Sequence, residues 1–357
     1  MLKTVMFLIP TISASGLNKM KFEDSLKNKI LKIDIKNPQY ALLLKQALEY
    51  WASLKDNGIN NQLLQDIVFK YSIAEKKLKQ LNQELLDKQK RLNDDLASAA
   101  EIQKSLLPHR IDPAENLDVA WEFEPCEHMG GDIFNMFQLD DDHWAFYMLD
   151  VSGHGVQAAM VTVSVSQFLQ SNSGHLFRNK SEKSAAGDGF RTPAEVLVAL
   201  DREFPFERFN NFFTITYMIV NTQTGELRYS NAGHPHSIVM RKNGKMEFLQ
   251  KGGPAIGAGE FSLLSGKADR FEEGRSRLNP GDKLFVYTDG IVEYQNRDDE
   301  LYGIRRFCET LEALSGASIS EIVKQSFRSL MNFGHNAKPQ DDITLLGLEL
   351  KKIGTKS

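Results

Sequence analysis

The amino-acid sequence predicts an α+β protein with a helical front and a strand-rich remainder. Three observations carry that expectation. Apolar residues recur at helical spacing up to about residue 107, and β-type runs dominate from Asp118 onward. Most of those runs are joined by short turns rather than by helices, which excludes a doubly wound parallel sheet.

Taken from the front, residues 40–54 show i, i+3, i+4 apolar recurrence and stop at Asn57-Gly58, which reads as the turn of a helical hairpin. A second run follows at Leu63, Leu64, Ile67, Val68 and Tyr71, so residues 1–72 are predicted as a helical regulatory or dimerisation domain. Residues 73–107 hold no Gly or Pro before Pro108, and 73–108 are predicted as one long linker helix. Leu78, Leu81, Leu85, Leu92, Ala99, Ile102 and Leu106 fit an a/d heptad, with Lys88 and Asp95 at the remaining d positions. The seam suits a solvated helix packed on its own domain or a dimeric coiled coil, and the second is the preferred reading.

Residues 109–353 are predicted as a separate β-rich domain. Strands are expected over 119–123, 144–151, 212–220, 227–230, 237–241, 283–288 and 343–350. Helices are expected over 156–169, 193–204, 305–314 and 319–332. Residues 171–192 are rich in Ser, Gly, Asn and Lys and read as a mobile loop.

Composition narrows the function. With 41% apolar and 25% charged residues the chain reads as an ordinary globular protein, and its net charge of −4 offers no basic face for nucleic acid. Its two cysteines, Cys126 and Cys308, form no disulfide framework and fit buried thiols of a reducing compartment, so a cytoplasmic location is expected. The opening MLKTVMFLIPTISASG is a weak sketch of a signal peptide, but its apolar run is short and carries Pro10, so it reads as a terminal element or tail. No run approaches the roughly eighteen apolar residues of a membrane span.

The chemistry-bearing residues are acids at strand ends beside glycine. Gly130-Gly131-Asp132 opens one strand, and Asp150-Val151-Ser152-Gly153-His154-Gly155 closes another. Thr288-Asp289-Gly290 ends a third, and Asp341-Asp342-Ile343-Thr344 begins a fourth. Hard divalent cations prefer carboxylate and carbonyl oxygens, and glycine lets the backbone approach closely. Each Asp-Gly alone is more often a turn than a site; four in this order are a specific pattern.

With Asn231-Ala232-Gly233-His234-Pro235, Gly281-Asp282 and the stretch Ala99-Ala100-Glu101-Ile102-Gln103 through Leu107-Pro108, the sequence resembles the RsbU/SpoIIE branch of the PPM (type 2C) phosphatases. The resemblance covers roughly two thirds of the chain. It implies an α-β-β-α sandwich and a serine/threonine protein phosphatase with two Mn²⁺ or Mg²⁺ ions. It further implies that Asp150 bridges the metals, that the Val151 carbonyl completes one, that Asp289 and Asp341 hold the second, and that Asp132 binds the first, directly or through water. Asp132, Asp150 and Asp289 would carry catalysis, through attack of a metal-bridging hydroxide on phosphorus. Asp342 is the less probable ligand of its pair. His154 is either a partner of the metal site or a residue that caps the following helix; His234 reads as a structural turn residue, and His128 carries a weaker signal still.

Two departures stand out: Asn135 occupies a position where relatives carry an acid, and no phosphate-gripping Arg has a counterpart. Gly130-Gly131-Asp132 also looks like a diguanylate cyclase signature, but Ile133 replaces the second acid and Thr288-Asp289-Gly290 goes unexplained, which rejects that reading. The helical front resembles RsbU-type regulatory domains. It implies a homodimer, a regulatory protein bound at the front, and a phosphorylated STAS-domain protein as substrate. The competing readings are an inactive scaffold that uses the fold for recognition, and a phosphomonoesterase of small molecules.

Overall fold

The computed structural model describes residues 61–108, 116–127, 129–170, 189–258, 271–335 and 337–353. The first arm and turn of the hairpin expected over 40–71, most of the loop expected over 171–192, and His128 lie outside them. The chain divides into two compact units, Met1–Leu92 and Asn93–Ser357.

Helix α1 (Asn61–Lys104) starts well before residue 73, so the run from Leu63 to Tyr71 lies on the same helix as the residues that follow it. No Gly or Pro interrupts it, and the Ser72 hydroxyl turns back to the Phe69 carbonyl at 2.8 Å instead of breaking the ladder. In the first unit, Leu78, Leu81, Leu85 and Leu92 are exposed in the single chain.

The second unit begins on the last turns of α1 and continues into eleven strands among the described residues. One sheet has the order β1-β11-β10-β6-β7, built from β1 (Leu117–Glu124), β11 (Ile343–Leu350), β10 (Lys283–Tyr287), β6 (Ile238–Met240) and β7 (Met246–Phe248). The other runs β2-β3-β4-β5-β8, from β2 (Ile133–Gln138), β3 (His143–Val151), β4 (Phe213–Asn221), β5 (Glu226–Ala232) and β8 (Gly252–Gly253). Strand β9 (Gly274–Arg277) also pairs with β5. Every pairing is antiparallel except β5 with β8.

Side-chain alternation makes this a four-layer structure, because each strand has two faces and both are covered. Phe134, Phe146, Met148, Met218, Val220, Leu284, Val286, Leu346 and Leu348 meet between the sheets. The opposite faces take the residues in between. Ala145, Tyr147, Leu149, Ile215 and Tyr217 pack on Ala158, Val161 and Val165 of α2 (Val156–Phe168) and on Leu197 and Leu200 of α3 (Pro193–Glu203). Phe285, Tyr287 and Leu345 pack on Phe307 and Leu311 of α6 (Gly303–Ala313) and on Ile322, Val323 and Leu330 of α7 (Ile319–Phe333). Two single-turn helices, α4 (Phe206–Phe209) and α5 (Asp289–Val292), complete the described set. The expected α-β-β-α sandwich is what forms.

Local chemistry sets the helix starts. Thr192 and Glu195 form a capping box at α3 with Pro193 just inside, and Ser318 caps α7 through the Glu321 amide. Gly347 lets α7 lie close on β11: a Cβ there would sit 2.8 Å from Ile319 and Val323 side-chain carbons.

Candidate metal centre

Period-two alternation carries the inter-sheet face past the strand ends. Asp132 lies two residues before Phe134, and Asp150 two residues after Met148. On the facing sheet, Thr288 follows Val286 by two, while Thr344 and Asp342 precede Leu346 by two and four. These strand ends share one end of the sandwich, as the hydrogen bond from Thr344 Oγ1 to Asp132 Oδ2 at 2.6 Å demonstrates across the gap.

The predicted acids lie within electrostatic reach of one another. Asp132 is buried, and burial followed by the Asp150 and Asp342 charges holds its carboxyl well above the usual range. Burial and the charges of Asp289, Asp341 and Asp342 push Asp150 up to about 8. Asp341 is exposed yet raised, by partial burial and then by Asp289 and Asp342, while Asp289 is raised by burial and Glu293. Among the described residues, no ion pair to Lys or Arg involves Asp132, Asp150, Asp289 or Asp341. Carboxylates that act on one another with no Lys or Arg paired to them offer the oxygen donors that a hard divalent cation prefers.

The Val151 carbonyl, also expected as a donor, lies against Gly131, where a Cβ would come within 2.6 Å of its oxygen. The glycines here serve a purpose the sequence reading placed elsewhere. A side chain at Gly130 would strike the Asp342 carboxylate, and one at Gly290 would strike the Asp342 carbonyl. They admit other protein atoms rather than bringing their own backbone to an ion.

Asp342 anchors the Gly130-Gly131-Asp132 loop. Its carboxylate accepts backbone N–H bonds from Cys126 at 2.8 Å, Gly131 at 2.6 Å and Asp132 at 3.3 Å. That commitment fits its weaker standing as a ligand. Donor atoms of Cys126, Asp341 and Asp342 lie within 4.8 Å of one another. Burial and the neighbouring Asp342 push the Cys126 thiol up to about 12, and sulfur is a poor match for a hard divalent cation. The donors that remain are oxygens, and they fit Mn²⁺ or Mg²⁺.

A further support comes from Gln103, on the last turn of α1. Its amide brackets Gly130, donating to the carbonyl at 2.6 Å and accepting from the N–H at 3.1 Å. Replacing Gln103 with Ala is therefore expected to accelerate hydrogen exchange at Gly130 by roughly ten-fold, for the loss of about 1.5 kcal/mol of hydrogen bonding. Unchanged exchange, read by mass spectrometry, would show that the loop holds itself.

The histidines separate cleanly. His154 does not cap α2, whose N-cap is Gly155 with no side-chain bond; it stands exposed, 3.3 Å from Glu127. His234 is buried, with Nδ1 2.8 Å from the Thr214 hydroxyl. Burial pushes its imidazole down to about 3, so it is neutral and structural. Asn231 closes the same turn, accepting from the His234 N–H and donating to its carbonyl, both at 2.8 Å.

This four-layer sandwich is the fold of solved PP2C-type phosphatase domains. The solved SiaA-PP2C domain of Pseudomonas aeruginosa has this fold, at TM-score 0.59 and 21% identity, covering 73% of this chain and 98% of that one. The PP2C phosphatase domain and regulatory-domain fragment of SpoIIE from Bacillus subtilis is similar at TM-score 0.53 and 15% identity, over 66% and 64% of the two chains. The family model described as "Stage II sporulation protein E (SpoIIE)" matches residues 140–351, more than half of the sequence, and the chain belongs to that family.

Curated relatives include Protein IcfG of Synechocystis, 28% identical over 284 residues, covering 74% of this chain and 43% of that protein. Phosphoserine phosphatase RsbP of Bacillus subtilis is 26% identical over 56% of this chain and 45% of its own length. Phosphoserine phosphatase RsbU of Bacillus subtilis is 24% identical over 306 residues, 85% of this chain and 83% of that protein. The chain thus spans less than half of the first two relatives.

Proposed function

We propose that this protein hydrolyses phosphoserine or phosphothreonine on a partner protein. The observation that carries the reading is the convergence of Asp132, Asp150, Asp289 and Asp341 without a neutralising cationic side chain. Two relatives named as phosphoserine phosphatases support the reaction class.

Asp132, Asp150, Asp289, Asp341 and the Val151 carbonyl would hold two Mn²⁺ or Mg²⁺ ions, which supply Lewis acidity that acidifies water and neutralises phosphoryl charge. The chain's own residues prepare the rest. Asp342 and Gln103 fix the loop that presents Asp132, so that carboxylate is held in place for a cation before substrate arrives. His154, exposed at the rim beside Glu127, is the group placed to return a proton to the departing seryl or threonyl oxygen.

The partner proposed is a phosphorylated STAS-domain protein, on the resemblance of the front half and the extent of the match to RsbU. The exposed Leu78, Leu81, Leu85 and Leu92 support a homodimer through α1, with a regulatory protein acting on the front. Among the described residues no helix is long and apolar enough to cross a membrane.

The test is Mn²⁺-dependent phosphate release from a phosphoserine STAS-domain protein, compared with a small aryl phosphate. Faster turnover of the phosphoprotein is expected. Turnover of the aryl phosphate alone would favour a small-molecule enzyme, and no release from either would favour a scaffold.

A further inference from the structure

Asp132 poses a problem that its own sheet does not solve. Its carboxyl is buried 3% exposed, beside two other acids, and no Lys or Arg reaches it among the described residues. A cationic side chain would orient it but would also neutralise the charge that attracts a divalent ion. A hydroxyl orients without neutralising.

Two fully buried threonines of the facing sheet, Thr288 and Thr344, stand opposite Asp132. They fix each other through the backbone. The Thr288 N–H donates to the Thr344 carbonyl at 3.1 Å, and the Thr344 N–H donates to Thr288 Oγ1 at 3.0 Å. The Thr288 hydroxyl accepts that bond and lies near both the Asp342 carbonyl, 3.4 Å away, and the Asp132 carboxyl, to which it is a second and weaker partner. Thr344 Oγ1 then donates to Asp132 Oδ2 at 2.6 Å. The acid comes from the β2 end and its donor from the β11 start, so this bond ties the carboxylate to the sheet that also carries Asp289 and Asp341.

We infer that Thr344 is a positioning residue for the metal centre: its hydroxyl holds one oxygen of Asp132 and leaves the other turned to the cation. This rests on the metal-dependent reading above. Hydroxyl partners of ligating carboxylates commonly set affinity as strongly as some ligands do.

Calorimetric titration of Mn²⁺ into the full chain tests it, with thermal unfolding in chelator as a control for folding. Thr344→Val keeps the shape and removes the hydroxyl; Thr344→Ser keeps the hydroxyl; Thr344→Ala is the second hydroxyl-free variant should Val not fold. Weakening of Mn²⁺ binding by roughly 10–100-fold is expected in Val or Ala, with Ser close to the parent. A folded Thr344→Val that binds Mn²⁺ like the parent overturns the inference, as does a Ser variant as weak as Val. A parent that binds no Mn²⁺ overturns the metal reading itself, a distinguishable result.

Discussion

Asp150→Asn is expected to lower Mn²⁺-dependent phosphate release by roughly 10³-fold while stabilising the metal-free protein. Asp150 feels more of the other acids than any of its neighbours does, with Asp289, Asp341 and Asp342 all raising its carboxyl and Asp132 hydrogen-bonded to it. Losing the charge that draws cations together forfeits several kcal/mol of phosphoryl stabilisation, and about 1.36 kcal/mol is a factor of ten.

The stability effect has the opposite sign. An acid whose folded-state value rises from 3.8 to about 8 keeps its proton in the folded state at pH values where the unfolded chain has lost it. Between those values the folded state binds more protons, so the chelated parent loses stability as pH rises from about 4 to about 8. Asn cannot ionise, and the variant's stability should be flatter across that window. Thermal melts in chelator at several pH values check this; a parent as flat as the variant would show that Asp150 is not crowded by the other acids.

The second large effect separates two adjacent acids. Asp342→Ala is expected to destabilise the metal-free domain by roughly 3 kcal/mol, because three backbone N–H groups lose a charged acceptor inside the protein. For a domain of this size that corresponds to a fall of roughly 6–12 °C in Tm. Relief of repulsion with Asp132 and Asp150 offsets part of that loss. Asp341 is exposed and its recorded bond is one from the Asp342 N–H at 2.8 Å. Asp341→Ala should therefore shift Tm little while weakening Mn²⁺ binding. Equal Tm losses in the two variants would contradict the division of labour.

Much of this was legible in the sequence because the strands are long and buried on both faces. Their alternation placed β3, β4, β10 and β11 within a residue or so, and counting on by two from Met148 or Val286 aims Asp150 and Thr288 between the sheets. Strands β7, β8 and β9 were not legible, since two to four residues are too few to show a period and their pairing partners lie elsewhere in the chain. The start of α1 was misplaced because a helix without Gly or Pro gives no local boundary. Gln103 and Thr344 belong to the family pattern, but nothing near them in the sequence marks a role. Their function comes from contacts 27 and 212 residues away, which spacing alone does not encode. Period-two alternation back from Leu346 turns Asp342 inward and Asp341 outward, as their burial shows.

The most direct measurement of the central claim is anomalous diffraction at the manganese edge from crystals grown with Mn²⁺. Two peaks are expected within coordination distance of the Asp150 carboxylate, one toward Asp132 and the Val151 carbonyl, the other toward Asp289 and Asp341. Peaks confined to other surfaces, or none at saturating Mn²⁺, would contradict it.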